Sequence, residues 1–164
     1  MLRRYSIPVA FWILCSWWTM SVVADFLIAP SIFAVIENFF NAGDLALLIF
    51  SKVTFIEAIL ASIFLALMIT FHHKNKQAFA LTLTVLCWVI AVFYVSYLIP
   101  KILNVTEVWK KAEEMGVVGI GDIKDAQQEH QFFHRIYIVL DSIKLIFLST
   151  LIGLTVYRSQ DKLS

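Results

Sequence analysis

Charge is scarce in this chain. Asp, Glu, Lys and Arg make up 15% of its 164 residues, against 60% hydrophobic residues and a mean hydropathy of +0.82. A soluble domain carries about 25% charged and roughly 45–50% apolar residues, so the scarcity excludes that class and places the chain in lipid. Period-two alternation is also lacking, which argues against a transmembrane β-barrel built of strands of about 10 residues. There is no basic run and the net charge is +1, so nothing calls for nucleic acid. The two cysteines, Cys15 and Cys87, fall inside apolar stretches at different depths, where a buried, small apolar role is expected and the redox compartment is left open. Nucleophile elbow, zincin motif, phosphate loop and paired-cysteine site are all missing. No repeat, low-complexity segment or domain linker is visible.

Long uncharged runs dominate what is present. Tyr5 to Ala24, Ala58 to Phe71, Gln77 to Pro100 and Leu145 to Tyr157 carry no charged residue. A bilayer crossing needs about 20 mostly apolar helical residues. The runs predict a single all-α domain, an integral membrane four-helix bundle with spans near 7–36, 46–71, 78–99 and 131–157. Met1-Leu-Arg-Arg4 ahead of an apolar run, with Ser21-Val-Val-Ala24 behind it, has the outline of a signal peptide. The apolar stretch continues past Asp25, however, so an uncleaved first helix is expected.

Arg3, Arg4, Lys74, Lys76, Arg158 and Lys162 sit in short segments beside a single acid, Asp161, whereas the lysines of the longer loop are diluted by acids. By the positive-inside rule both termini face the cytoplasm of a multi-pass protein, with a bacterial inner membrane as the expected residence. Asn104-Val-Thr106 forms a glycosylation sequon on the outer side, too close to the membrane to favour modification. Ile102, Val105, Val108 and Trp109 recur at helical spacing opposite Lys110, Lys111, Glu113 and Glu114. That pattern predicts a short amphipathic surface helix between the third and fourth spans, with Trp109 at the interface. The glycine-rich stretch from Gly116 to Gly121 should end it, and Asp122 should cap a helix running to Tyr157 whose first turns project outward.

The last span opens "EHQFFHRIYIVLDSIKL", an unexpectedly polar start for a membrane helix. His130, His134, Tyr137, Asp141 and Lys144 follow one another at four, three, four and three residues, the spacing of one helical seam. A charge at mid-membrane costs about 2.5–3.5 kcal/mol, so the seam should point into the bundle. Phe132, Ile136, Leu140, Ile143 and Phe147, on the opposite face, are then expected to meet lipid. Counted from the outer helix ends, Asp25, Glu57 and Asp141 reach a common depth of about 16 Å. Lys144 lies one turn deeper, Lys52 one turn shallower, and Tyr94 and Tyr97 slightly nearer the outside. Ser21 and Thr54 stand a turn from the acids, and Pro30 should kink the first helix and free a carbonyl close by.

Two readings of this layer stay open. Asp141 with Lys144, and Glu57 with Lys52, can neutralise one another as structural ion pairs. Alternatively the layer is a functional centre, because intramembrane ionisable groups are expensive and here they cluster. As a transport site, Asp25, Glu57 and Asp141 would take up a proton or cation, with Lys144 setting how many ionise. As an enzyme site, His134 would be the general base toward a lipid-soluble substrate. A third possibility is a non-catalytic subunit or assembly factor that docks a partner around Trp109. His130 and His134 could share a divalent metal if Glu129 or Glu57 completed the shell, although HxxxH alone is a weak signal. Haem is disfavoured, since no two helices offer histidines at one depth. His72 and His73 suit the C-terminus of the second helix. With so few helices, a homo-oligomer or a membrane partner is expected alongside the bilayer.

Four stretches taken together, "WWTMSVVADFLIAPSIFAVI", "AGDLALLIFSKVTFIEA", "YLIPK" and "FFHRIYIVLDSIKL", carry a resemblance. The pattern resembles the small four-helix membrane family of unknown function related to transmembrane-protein-205-like and copper-resistance-D-like proteins. The resemblance singles out Pro30, Phe33, Gly43, Phe50, Glu57, Pro100 and His134. It implies the fold and the membrane placement without a settled activity, although some relatives are linked to metal or drug tolerance.

Overall fold

The computed structural model describes residues 2–75, 78–115 and 120–160. All of these but a short turn at residues 36–38 are helical, and they form four rods that are each long and apolar enough to cross a membrane. The first rod is α1 (Leu2–Val23), a π-helical turn (Ala24–Ile28) and α2 (Ala29–Val35). The second is α3 (Phe39–Asn75). The third is α4 (Ala78–Phe93), a second π-helical turn (Tyr94–Leu98) and α5 (Ile99–Met115), and the fourth is α6 (Ile120–Gln160). Neighbours in sequence are neighbours in space, and the fourth rod closes the ring against the first, as in an up-down-up-down bundle.

The amphipathic segment before the fourth span is helical as expected, and it continues the third rod without a break. It packs along α6, so the two project together past the end of the bundle opposite the termini. α6 starts at Ile120, earlier than Asp122 would have capped it, and its 41 residues extend about 60 Å. Residues 116–119 and 161–164, with Lys76 and Gln77, lie outside the described residues, as do the side chains of Arg3, Arg4, His72, His73, Lys74, Asp122 and Arg158.

Both π-helical turns end two residues before a proline, Pro30 or Pro100. A proline has no N–H to give, so the helix before it relaxes to i→i+5 bonding: Ala29 N–H reaches the Ala24 carbonyl, and Ile99 N–H that of Tyr94. Pro30 therefore acts through a widened turn that contains Asp25, and the rod continues through it.

The matching turns belong to a larger correspondence that corrects the expectation of no repeat. Shifted by 70 positions, the first and third rods bury the same places: Ala10 with Ala80, Leu14 with Thr84, Trp17 with Cys87, Ser21 with Ala91, Ala24 with Tyr94, Ile32 with Ile102. Shifted by 87, the second and fourth do likewise: Ala46 with Phe133, Thr54 with Asp141, Glu57 with Lys144, Ala61 with Leu148, Phe64 with Leu151. The two helical hairpins thus share a burial pattern along most of the bundle, which ends at the cavity side, where Val35 is 80% exposed against 4% for Val105. Trp18 Nε1 donates to Ser149 Oγ at 3.0 Å, and its counterpart Trp88 Nε1 donates to Ser62 Oγ at 3.1 Å. Because the two bonds are equivalent and well separated, Trp18→Phe and Trp88→Phe should each cost about 0.6 kcal/mol, and the double variant should cost their sum. Detergent-titrated unfolding checks both the sizes and the additivity.

The core has two layers. Towards the termini, Leu14, Trp17, Phe64, Cys87, Leu148 and Leu151 interdigitate. Towards the other end, Ile90, Tyr94, Leu98, Ile102, Val105 and Phe133 pack together, joined by Ile136, Leu140 and Ile143. This second layer corrects the expected lipid face of α6. Ile136, Leu140, Ile143 and Phe147 are half-buried, because α6 is packed by both the first and third rods and its covered arc is correspondingly wide. Exposed positions of α6 are Phe132, Arg135, Val139, Ser142 and Ile146.

Candidate functional site: a carboxylate–lysine centre beneath an apolar cavity

Lys144 is the hub. Its ammonium donates to Glu57 Oε1 at 2.8 Å and Oε2 at 2.9 Å and forms an ion pair with Asp141, one turn earlier on the same helix. The two hydrogen bonds of the ammonium both go to Glu57, and the Asp141 contact is an ion pair. Lys144 and Glu57 are each 1% exposed, and the Tyr94 ring lies 5.5 Å from Nζ. Ser21 Oγ hydrogen-bonds Glu57 Oε1 and also lies 3.2 Å from the Trp17 carbonyl. All partners of Glu57 are internal, and its carboxylate does not reach the cavity described below.

Asp25 and Asp141 are placed differently. Tyr137 Oη donates to Asp25 Oδ1 at 3.1 Å, and Asp25 and Asp141 border the same cavity. Tyr94 Oη donates to the Tyr137 carbonyl at 3.2 Å, and Phe50 meets the Tyr137 ring edge-on at 5.6 Å, which fixes the tyrosine beneath the acid. Three carboxyl groups, Asp25, Glu57 and Asp141, share this layer with a single ammonium, so charge balances only if two protons or other cations are held there as well.

Both aspartates form the floor of a cavity of about 470 Å³ between the first, second and fourth rods and α5. Its walls are apolar and aromatic, with Phe26, Phe33, Phe50 and Leu47 prominent. Gly43 leaves open space where a side chain would stand. Trp109 roofs it against Phe40 at 5.2 Å and Phe39 at 5.9 Å, and the roof is pinned by Lys110 Nζ donating to Asp44 at 2.8 Å. His130 and His134 stack at 6.2 Å beside it, and His130 Nδ1 lies 3.0 Å from Thr106 Oγ1. The rim includes exposed side chains of the first rod (Phe26, Pro30) and of α6 (Ile138, Ser142), so the cavity opens sideways toward lipid.

Of the residues singled out in the sequence, the structure therefore brings together Asp25, Glu57, Asp141, Lys144, Tyr137 and Tyr94. Lys52 stays apart on an exposed face of α3, and the partner expected for Glu57 is Lys144 instead. Tyr97 is half-exposed, stacked on Phe93 at 5.3 Å and away from the centre. Thr54 turns its hydroxyl back to the Phe50 carbonyl at 2.9 Å. His130 and His134 line the cavity, but both suggested third metal donors are engaged elsewhere: Glu129 pairs with Lys101 at 2.9 Å and Glu57 with Lys144. Among the described residues no three His, Cys, Asp or Glu side chains converge as metal ligands. The aromatic roof was not anticipated. Phe39 and Phe40 lie outside the apolar spans, and only the docking of α5 assigns them a place.

The shared burial pattern points to the same residues by another route. The hairpins share burial and backbone form, yet Asp25 stands opposite Val95, Asp141 opposite Thr54 and Lys144 opposite Glu57. Among the paired buried positions the halves differ in charge at Thr54/Asp141 and Glu57/Lys144, whereas on the exposed faces Lys52 and Arg135 also lack charged counterparts.

No family model, curated protein or solved structure matches the chain. Its class rests on architecture: a four-rod helical membrane bundle. More particularly, it is a bundle with a buried carboxylate–lysine centre that borders a cavity open on one side.

Proposed function

We propose that this is a small ion-linked membrane transport or binding protein, in which Asp25 and Asp141 exchange a proton for a cation at the cavity floor. The observation that carries the reading is the surplus of carboxyl groups, three against one ammonium, with two of them where the cavity floor meets open space. Buried charge without a partner is costly in lipid, and a site that must hold a proton or cation satisfies it. Location at the junction of two structural repeats is where many secondary transporters place coupling sites. Glu57 and Lys144, fully engaged with each other, form the fixed part, and the exchangeable part is Asp25 with Asp141. The reading includes cytoplasmic termini in a bacterial inner membrane, kinship with the four-helix family named above, and function as a homo-oligomer or with a membrane partner.

Infrared difference spectroscopy across pH 5–9 tests it. A protonated-carboxyl band should titrate in the wild type, persist in Glu57→Gln and vanish in Asp25→Asn. A spectrum without any titrating carboxyl would mean that the acids are locked, and the exchange reading would fall.

The subunit reading depended on Trp109 as a docking surface, and that ring is occupied by Phe39, Phe40 and His130. The enzyme reading depended on His134 as a base. His134 borders the cavity together with the acids, but no nucleophile stands beside it among the described residues.

A further inference from the structure

The chemistry of the cavity specifies its cargo more narrowly than a proton or an inorganic ion. A small metal cation keeps its water or demands several oxygen ligands, and carboxylates at one end of an aromatic chamber do not supply them. Of the polar groups that line the chamber, the two carboxyls, the Tyr137 hydroxyl and Ser142 lie towards its floor, while Thr106, His130 and His134 lie at the roofed end. A volume of about 470 Å³ lies within the range of about 300–1,000 Å³ typical of pockets for drug-sized organic molecules. Aromatic faces such as Phe26, Phe50 and Trp109 attract organic cations and also bury their carbon. The sideways opening between Pro30 and Ile138 suits a molecule that arrives dissolved in the bilayer.

We infer that the cavity binds lipophilic organic cations, which enter from the membrane and place their positive centre against Asp25 and Asp141 in exchange for the proton held there. This rests on the exchange reading above and names its cargo class. Charge complementarity sets the choice. A lipophilic anion of the same shape would meet the same walls and be repelled at the floor, and a neutral molecule would bring no charge to replace the proton that leaves. The proton displaced on binding leaves to solvent or buffer, so charge within the site is conserved.

Tetraphenylphosphonium and tetraphenylborate have nearly the same shape and opposite charge, and neither can gain or lose a proton. Equilibrium binding of each, radiolabelled, to the purified full-length protein in detergent is the test. The phosphonium should bind saturably, with release of about one proton per cation in weakly buffered medium, and the borate should not. Asp25→Asn should weaken phosphonium binding by about tenfold or more. Gly43→Leu should do the same with every charge in place, because its side chain grows into the open space beside Gly43. Elution position and melting temperature confirm that each variant is folded, and Gly43→Leu keeps the test informative if Asp25→Asn is not.

Equal binding of the two ions, or phosphonium binding unchanged in both variants, overturns the inference. If the phosphonium fails to bind while the infrared carboxyl band still titrates, the cargo class is wrong and the exchange centre survives. If neither signal is seen, both readings fall together.

Discussion

Replacing Lys144 with methionine should destabilise the fold by about 3–5 kcal/mol, the largest loss expected from any single substitution in the bundle. Lys144 is held by Glu57 and Asp141, and its removal leaves Glu57 buried with only Ser21 as a partner. The cost is that of an unpaired buried charge, not of the lost attraction. Removing both members therefore behaves differently. Lys144→Met combined with Glu57→Met should recover part of the stability, since Glu57 is no longer buried without a cation, while Asp141 still lacks its ionic partner. Unfolding in mixed micelles of wild type, single and double variants measures this as a thermodynamic cycle. A double variant no more stable than Lys144→Met would show that the pair contributes more than charge neutralisation.

The second large effect has the opposite sign. Asp25→Asn should raise stability by about 0.5–2 kcal/mol while the exchange activity is lost. Asparagine keeps a carbonyl for the Tyr137 hydroxyl and stays neutral without having to hold a proton, so the floor keeps that contact and loses one group that must be neutralised. Asp141→Asn should not share the gain, because Lys144 loses an ionic partner, and a loss of about 1–3 kcal/mol is expected instead. Thermal melts of the two variants at one pH separate these outcomes. A gain in both would mean that the Lys144–Asp141 pair adds nothing to the fold.

The centre was legible in the sequence because intramembrane charge is rare enough to stand out and because helical rise is constant. Depth counting brought Asp25, Glu57 and Asp141 to one layer without any knowledge of packing, and in the structure Lys144 joins Glu57 and Asp141 while Asp25 borders the same cavity as Asp141. Depth says nothing about azimuth, however, which is why Lys52 and Tyr97 were included and lie outside. The covered arc of α6 was drawn too narrow for a similar reason. Apolar side chains suit lipid and a neighbouring helix equally, so Ile136, Leu140 and Ile143 carry no sign of which they meet. The duplication was illegible because what repeats is burial, not identity. Leu14 and Thr84, or Trp17 and Cys87, occupy equivalent buried places with little chemical likeness. The two prolines and the tryptophans Trp18 and Trp88 were the visible trace of it.

That duplication bears on how an ion pair came to lie at the centre of the molecule. In a homodimer of one hairpin, an isologous interface would place the same residue on both sides of its axis. Glutamate would face glutamate there, or lysine would face lysine, and no single substitution could create attraction. Fusion of the two copies into one chain releases this constraint, since positions 57 and 144 are then encoded separately and can take opposite charge. The same release lets one half acquire Asp25 while the other keeps Val95, and lets the second half lengthen between its rods to build a roof over a single chamber. Opposite charge at positions 57 and 144 is therefore open to this chain because its two hairpins are encoded separately, and two identical hairpins meeting across an axis could not carry it.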